Sequence, residues 1–169
     1  GVYEHGNWTA GFSIGVRWLT AIGQGETNAD EHAVSRLRAL APRADDSTTH
    51  DLGFLFYPSF VVGYELGFVG PESTAPAFRA ADLTAARFNS RGDFIQAFGA
   101  IGDRRSAGTS TIDTMLNLPL IWWATARGAD PVLYDIARRH ARTSARLFFR
   151  ENGSTYHLNR FDAVSGALI

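Results

Sequence analysis

A threefold repeat of paired helices constrains this chain more than any other feature of its 169 residues. In each repeat an almost wholly apolar helix is followed by an amphipathic helix, and the repeats span residues 8–40, 54–88 and 113–149. An apolar helix must be covered on most of its sides, whereas an amphipathic helix needs cover along one stripe only. Two concentric rings, with the apolar helices inside, meet both demands. The pattern therefore predicts an all-α chain forming part of an α/α toroid built of helical hairpins.

Three hairpins are too few to close such a ring. We therefore expect residues 1–169 to form one partial α/α-barrel domain, with the polar stretch 1–7 leading into the first helix. An open ring exposes the apolar walls of its inner helices to water, and large exposed apolar surfaces favour association. The pattern thus also predicts that the isolated chain can self-associate.

Two of the apolar segments open on an aspartate: Asp51 lies just before the second repeat, and Asp113 begins the third. Capping of the helix start, by Thr111 or Asp113 in the third repeat, is the commonest reason for such a residue. In a toroid, however, the inner helices begin at one mouth, which also brings Trp8 close to both acids. Burial there predicts a raised pKa for Asp113, as a general acid needs near neutral pH. Paired carboxylates beside aromatic rings are typical of sites that act on sugars.

Composition restricts the other classes of function. The formal net charge is -1 and no basic run occurs, which disfavours nucleic-acid binding. The chain has no cysteine, which excludes disulfides and thiolate metal sites, and its apolar stretches are too short to span a membrane. Without cysteine or a recognisable leader, the sequence favours a cytoplasmic bacterial protein, with the periplasm as the alternative.

Six short stretches resemble glycoside hydrolase family 88, the unsaturated glucuronyl hydrolases, in their order and spacing. They are WTAGF at 8–12, HDLGF at 50–54, RFN at 87–89, IQAFG at 95–99, IDTMLNLPL at 112–120 and GSTYH at 153–157. The resemblance covers nearly the whole chain but only the middle of the family's domain. It implies a six-hairpin α/α barrel that acts on oligosaccharides made by polysaccharide lyases, which carry a 4,5-unsaturated uronic acid at the non-reducing end.

The resemblance also implies a reaction that differs from ordinary glycoside hydrolysis at the anomeric carbon. An acid protonates C4 of the enol-ether double bond, and water adds at C5. The resulting hemiketal falls apart and releases the unsaturated sugar as an open-chain keto acid. No metal and no organic cofactor is expected to take part.

The family's site residues can be carried over where its motifs match. Asp113 matches the general acid/base, and Asp51 matches a second essential acid that holds sugar hydroxyls and influences the charge of Asp113. His157 matches a histidine lining the same subsite, and Trp8 matches a ring that shapes the substrate pocket. Phe98 stands where the family usually carries tryptophan, so a ring remains but the indole N–H is lost. These five residues are the predicted catalytic and substrate-binding set.

Two other functions remain open. One is a sibling reaction on the same toroid, namely an unsaturated rhamnogalacturonyl hydrolase, a lyase or an epimerase. The other is a fragment that binds glycans without turning them over.

Several further conspicuous side chains are expected to have structural roles. His50 is expected to brace its loop and is kept out of the catalytic set, while His140 falls on the apolar face of its outer helix. Trp122 and Trp123 lie well inside an apolar helix, so we expect both in the core. Arg139 is expected on a solvated face.

Overall fold

The structure, a computed structural model, describes residues 7–169, so most of the predicted polar lead-in lies outside the described residues. The first hairpin pairs α1 (Ala10–Gly23) with α2 (Glu31–Leu40), and a 3₁₀ turn (Ala41–Asp45) extends α2. The apolar helix α1 lies against the next inner helix, whereas α2 packs through one stripe, with Ala33, Leu37 and Leu40 buried. This is the inner and outer arrangement that the repeat predicts.

The second inner helix consists of three consecutive segments. They are α3 (Leu52–Phe56), a π-helical turn (Tyr57–Val61) and α4 (Val62–Glu65). Every residue of α3 is buried, as expected of an element covered on several sides. Its outer partner is α5 (Ala75–Ala85), which begins after a short 3₁₀ turn (Pro71–Ser73).

The third inner helix begins differently from the prediction. It starts as a 3₁₀ helix (Ile112–Asn117) and continues as α6 (Leu118–Ala126), while α7 (Val132–Leu147) is the outer partner. No side chain caps the 3₁₀ start, because the Thr111 hydroxyl lies 3.1 Å from the Thr114 hydroxyl instead. The prediction that Thr111 or Asp113 caps this helix is therefore wrong, and Asp113 lies inside the first turn with its carboxylate free for other contacts.

Two short antiparallel ribbons accompany the helices. Strands β1 (Phe88–Asn89) and β2 (Phe94–Ile95) form the first, and β3 (Thr109–Thr111) and β4 (Leu158–Arg160) form the second. Phe88 pairs with Ile95, and Thr109 pairs with Arg160. The second ribbon leads directly into the 3₁₀ helix that carries Asp113, so it fixes where that helix starts.

The inner helices approach one another very closely at two glycines. A Cβ atom added to Gly11 would lie 2.3 Å from the carbonyl oxygen of Leu55, and one added to Gly53 would lie 2.3 Å from the Cα of Asn117. The Gly53 N–H also donates a hydrogen bond of 2.6 Å to the buried Asn117 Oδ1. Only glycine permits such backbone contact, so these two residues set the spacing of the inner helices.

The helical hairpins confirm the predicted all-α class. Trp123 is buried and donates from its indole nitrogen to Glu65 Oε1 at 2.7 Å, as expected of a core residue. Trp122 is partly exposed, so the prediction that both rings lie in the core is wrong for Trp122. A helix that is apolar on every side does not show in its sequence which of its residues are exposed.

The outward wall of α1 is apolar and exposed, as an open ring requires. Its exposed side chains follow a helical stripe: Phe12, Val16, Leu19 and Ile22. Within the described part of the chain, no helix is both long and apolar enough to cross a membrane.

Arg139 is less solvated than predicted. Its Nε donates to Asp93 Oδ1 at 3.0 Å, a terminal nitrogen donates to the Ser90 carbonyl at 3.0 Å, and the guanidinium lies 4.9 Å from the centre of the Phe88 ring. It therefore ties α7 to the β1–β2 ribbon.

Candidate active site

A pocket of about 360 Å³ opens where α3 and the 3₁₀ helix of the third hairpin begin. All five residues predicted from the sequence lie in its wall. The lining consists of Trp8, His50, Asp51, Phe54, Phe98, Thr111, Asp113 and His157. The two inner helices thus begin at one mouth and bring their acids together.

Asp51 is held by a local turn at the head of α3. Its backbone N–H donates to the Thr49 hydroxyl oxygen at 3.1 Å, and that hydroxyl donates to Asp51 Oδ2 at 2.9 Å. The Asp51 carbonyl accepts the first bond of the helix, from the Leu55 N–H. These contacts fix the direction in which the carboxylate leaves the helix start.

Asp113 is placed by the ribbon that precedes it. The Ile112 N–H donates to the His157 carbonyl at 3.0 Å, so the strand ladder continues up to the residue before the acid. This contact also explains why His157 lies in the same pocket wall as Asp113, although the two residues are far apart in the chain. The Oδ1 atom of Asp113 is buried and has no hydrogen-bond partner within the described chain.

His50 links the two acids, and sequence reasoning missed this role. Its Nε2 lies 3.1 Å from Asp113 Oδ2 and 3.4 Å from Asp51 Oδ1. Carboxylates are acceptors, so an imidazole nitrogen that faces two of them carries a proton. The available signal was that His50 directly precedes Asp51, but its partner Asp113 lies 63 residues away.

The expected raised pKa of Asp113 is not found in this site. Partial burial raises the pKa of the carboxyl, but the side chains of His50 and Thr111 stabilise the charged form by hydrogen bonding, and the charge of His50 adds to this. The net effect lowers the pKa of Asp113 to about 2. Burial is the largest single influence on this pKa, but the hydrogen bonds and the charge that stabilise the carboxylate together outweigh it, so the predicted raised pKa of Asp113 is wrong. Asp113 is therefore a carboxylate in the ligand-free pocket at neutral pH.

Two half-exposed aromatic rings form the apolar part of the wall. Trp8 is 51% exposed and packs edge-on against Phe54, with the ring centroids 5.8 Å apart. Phe98 is 45% exposed and lies edge-on to the His50 ring, at 6.1 Å between centroids. Such rings leave an apolar face open to a ligand while the rest of the ring is anchored.

The acids and the imidazole also have the composition of a cation site. The ligand atoms of His50, Asp51 and Asp113 lie within 4.8 Å of one another. A cation would need the lone pair of His50 Nε2, which carries the proton that both carboxylates face. The hydrogen bonds therefore account for this cluster, and the predicted absence of a metal stays a prediction.

No protein-family model matches the chain, but curated relatives do. It is 33% identical over 171 residues to the unsaturated glucuronyl hydrolase of Bacillus sp. (strain GL1), a match that covers 98% of this chain and 45% of that protein. It is 30% identical over 168 residues to the unsaturated chondroitin disaccharide hydrolase of Streptococcus pneumoniae, covering 98% of this chain and 42% of that protein. The chain thus spans less than half the length of these relatives.

A solved structure agrees with the sequence relatives. The crystal structure of the unsaturated glucuronyl hydrolase from Bacillus sp. GL1, described as responsible for the degradation of glycosaminoglycan, matches with a TM-score of 0.86 and 31% identity. The match covers all of this chain and 45% of that one, and it confirms the predicted fold, part of an α/α toroid. By sequence and by fold, the chain is similar to unsaturated glucuronyl hydrolases, and it spans about 45% of the first of these relatives.

Proposed function

We propose that the protein containing this chain removes a 4,5-unsaturated uronic acid from the non-reducing end of oligosaccharides made by polysaccharide lyases. One observation carries the proposal: Asp51 and Asp113 face the same imidazole, that of His50, in a pocket with two half-exposed rings. The names of the relatives, among them an unsaturated chondroitin disaccharide hydrolase, support this substrate class. The reaction is a hydration followed by release of the leaving saccharide.

The proton for the first step starts on His50. Before substrate binds, Nε2 holds this proton and Asp113 is ionised, because its pKa is lowered to about 2. A bound sugar displaces water from the pocket, which strengthens the penalty for keeping two separated charges. We propose that His50 enters this step as an imidazolium, protonated on both ring nitrogens. The Nε2 proton then moves across the 3.1 Å to Asp113 Oδ2, leaving a neutral imidazole and a carboxylic acid.

Protonated Asp113 then performs the hydration. It gives its proton to C4 of the double bond, and positive charge develops at C5. The Asp113 carboxylate takes a proton from the water whose oxygen attacks C5, so one molecule of water is added in total. The hemiketal at C5 opens to a ketone, and the hemiacetal left at C1 releases the leaving saccharide. Asp51, on the other side of His50, holds sugar hydroxyls and keeps a negative charge near the developing cation.

The remaining predicted residues hold the sugar. Trp8 and Phe98 present ring faces on which the apolar face of a sugar can stack, and His157 contributes a polar contact at the rim. This division between apolar walls and few polar groups is usual for small-molecule sites. We further propose that the protein acts in the bacterial cytoplasm, with the periplasm as the alternative, because the 169 residues contain no cysteine.

The test follows the ultraviolet absorbance of the conjugated double bond in unsaturated chondroitin and heparin-type disaccharides. The assay uses the full-length protein. We expect the absorbance to fall, and Asp113→Asn to lower kcat by about a hundredfold to ten-thousandfold because the acid/base is lost. The matched control is Asp130→Asn, since Asp130 receives a hydrogen bond from the Val132 N–H in a turn away from the pocket.

Two outcomes would contradict the proposal. Wild-type turnover by Asp113→Asn would remove Asp113 from the reaction. Constant absorbance with every disaccharide would instead favour rhamnogalacturonyl substrates. If the protein leaves those substrates unchanged as well, a glycan-binding role without turnover would be favoured.

A further inference from the structure

A buried arginine lies behind the pocket, outside its lining. Arg87 follows α5 and precedes β1, and it is only 3% exposed. Burial lowers the pKa of Arg87 to about 10, against the opposing charges of Asp51 and Asp46, so the guanidinium stays charged at neutral pH. A buried charge is unfavourable unless all its donors are satisfied, so its partners indicate what it is for.

The Arg87 guanidinium donates to backbone carbonyls on two loops. The distances are 2.8 Å from Nε to Gln96 O, 2.9 Å from Nη1 to Ser47 O, and 3.0 and 2.7 Å from Nη2 to Ala97 O and Gly99 O. Three of these carbonyls surround Phe98 in the chain, and the fourth belongs to the loop that leads to His50. Arg87 therefore joins the loop of the aromatic wall to the loop of the imidazole.

The backbone of Phe98 itself is held at both of its polar groups. Gln96 Nε2 donates to the Phe98 carbonyl at 2.6 Å and to the Ala100 carbonyl at 3.2 Å. The Phe98 N–H donates to the Thr109 hydroxyl oxygen at 3.3 Å. The side chain is nevertheless 45% exposed, so a tightly bonded backbone carries a ring that projects into the pocket.

The geometry points to Arg87, assisted by Gln96, as a positioning residue for substrate recognition: it fixes the Phe98 ring where the apolar face of the sugar stacks. The inference rests on the proposed function for its substrate, but the four hydrogen bonds carry it. A guanidinium reaches carbonyls on two loops because its donors form a rigid planar fork, whereas a lysine has one nitrogen. A purely core-filling residue would not need donors aimed at both sides of one exposed ring.

A double-mutant cycle tests whether Arg87 acts through Phe98. The full-length protein is compared with its variants Arg87→Lys, Phe98→Ala and the double variant. For each, kcat and KM are measured with an unsaturated chondroitin disaccharide. We expect each single change to raise KM about five- to tenfold, the size of one lost aromatic contact, with kcat little changed. The double variant is expected to be no worse than Phe98→Ala, because the ring that Arg87 positions is already gone.

The control is Arg139→Lys, an arginine bound to the same ribbon through Asp93 and Ser90. It is expected to lower the melting temperature without changing KM. Effects of Arg87→Lys and Phe98→Ala that add in full would overturn the inference, as would an unchanged KM. If circular dichroism shows that Arg87→Lys does not fold, Gln96→Met takes its place, since it removes two bonds to the same loop and leaves the buried charge.

A readout without substrate separates this inference from the proposed function. Phe98→Trp places an indole at the same position. Because four tryptophans are already present, the contribution of the new indole to the fluorescence anisotropy is taken as the difference from the matching protein with Phe98, and it reports how firmly the ring is held. We expect Arg87→Lys to lower this anisotropy and Arg139→Lys to leave it unchanged. Equal anisotropy in both would refute the positioning role whatever the activity. Lowered anisotropy in a protein that turns over no disaccharide would refute the proposed function and leave the positioning role standing.

Discussion

The mouth of the pocket and the packing beneath α7 each contain a buried histidine, and the two have opposite surroundings. His50 is 6% exposed and faces two carboxylates through Nε2. His140 is fully buried, accepts a hydrogen bond from the Ile95 N–H at Nδ1, and lies 3.5 Å from the Ser144 hydroxyl through Nε2. Burial, with a contribution from the charge of His50, lowers the pKa of His140 to about 4.

The comparison shows that two similarly buried histidines differ in what they can do because their hydrogen-bond partners differ. His140 must be neutral to accept at Nδ1, and through this bond it braces α7 against the β1–β2 ribbon. The sequence predicts a structural role for His140 but not this partner. His50 lies between acceptors, so it holds a proton where the proposed reaction needs one. Substituting the two residues separately should therefore separate activity from stability.

The largest expected effect is on turnover in His50→Gln. The amide preserves a hydrogen bond to the carboxylates but cannot deliver a proton, so kcat should fall about a hundredfold, as for loss of an acid/base partner. His140→Gln should retain the wild-type rate. The loss of absorbance of an unsaturated disaccharide measures both, and equal rates in the two variants would break the comparison.

The next effect concerns the acid sensitivity that His140 gives the fold. In the unfolded chain the histidine pKa is near 6.5, whereas in the fold it is about 4, so the unfolded state binds more protons as the pH falls. The stabilisation is complete above pH 6.5 and is lost as the pH falls through about 4, by up to about 3 kcal/mol. Urea unfolding at pH 7, 5 and 4 should show this loss in the wild type and a smaller one in His140→Gln. A pH dependence that is the same in both would contradict the prediction.

The smallest effect is the stability that ionised Asp113 contributes. Its pKa is lowered from 3.8 to about 2, so its contribution is present above pH 3.8 and is lost as the pH falls through 2. The carboxylate is partly exposed, and solvent screening reduces the expected loss to about 1 kcal/mol. Carboxyl-carbon NMR titration gives a direct measurement: the pKa of Asp113 should rise in His50→Gln and stay low in His140→Gln. An unchanged value in His50→Gln would remove the imidazole as the cause.

The hairpins and the inner and outer helices could be predicted because they depend on local periodicity. A helix that is apolar on every side must be covered by other elements, which restricts where it can lie in a fold. Three such helices that alternate with amphipathic ones restrict the arrangement further. The ribbons could not be predicted, since strands of two or three residues are too short to show alternation. The exposure of Trp122 was equally hidden, because an all-apolar helix does not mark which side meets a neighbour.

The sequence could predict which residues line the site. It could not predict the contacts among them or the protonation states that follow from those contacts. The family's motifs name residues that the fold brings into one pocket wall, and their roles stay predictions. The contact of His50 with Asp113 joins residues 63 apart, and the low pKa of Asp113 depends on that contact. Arg87 belongs to one of the stretches that resemble the family, but its role could not be predicted, since its partners are backbone carbonyls that any residue type supplies.

The contact between Gly53 and Asn117 has a consequence for the redesign of substrate preference. It lies two residues after Asp51 and four residues after Asp113, so the main chain itself sets how far apart the two acids start. Phe98 and His157 are carried by segments between helices and ribbons, which tolerate change better than such a contact. A library that varies those segments would sample new sugars at a constant acid spacing, whereas one that varies Gly53 would alter fold and chemistry together.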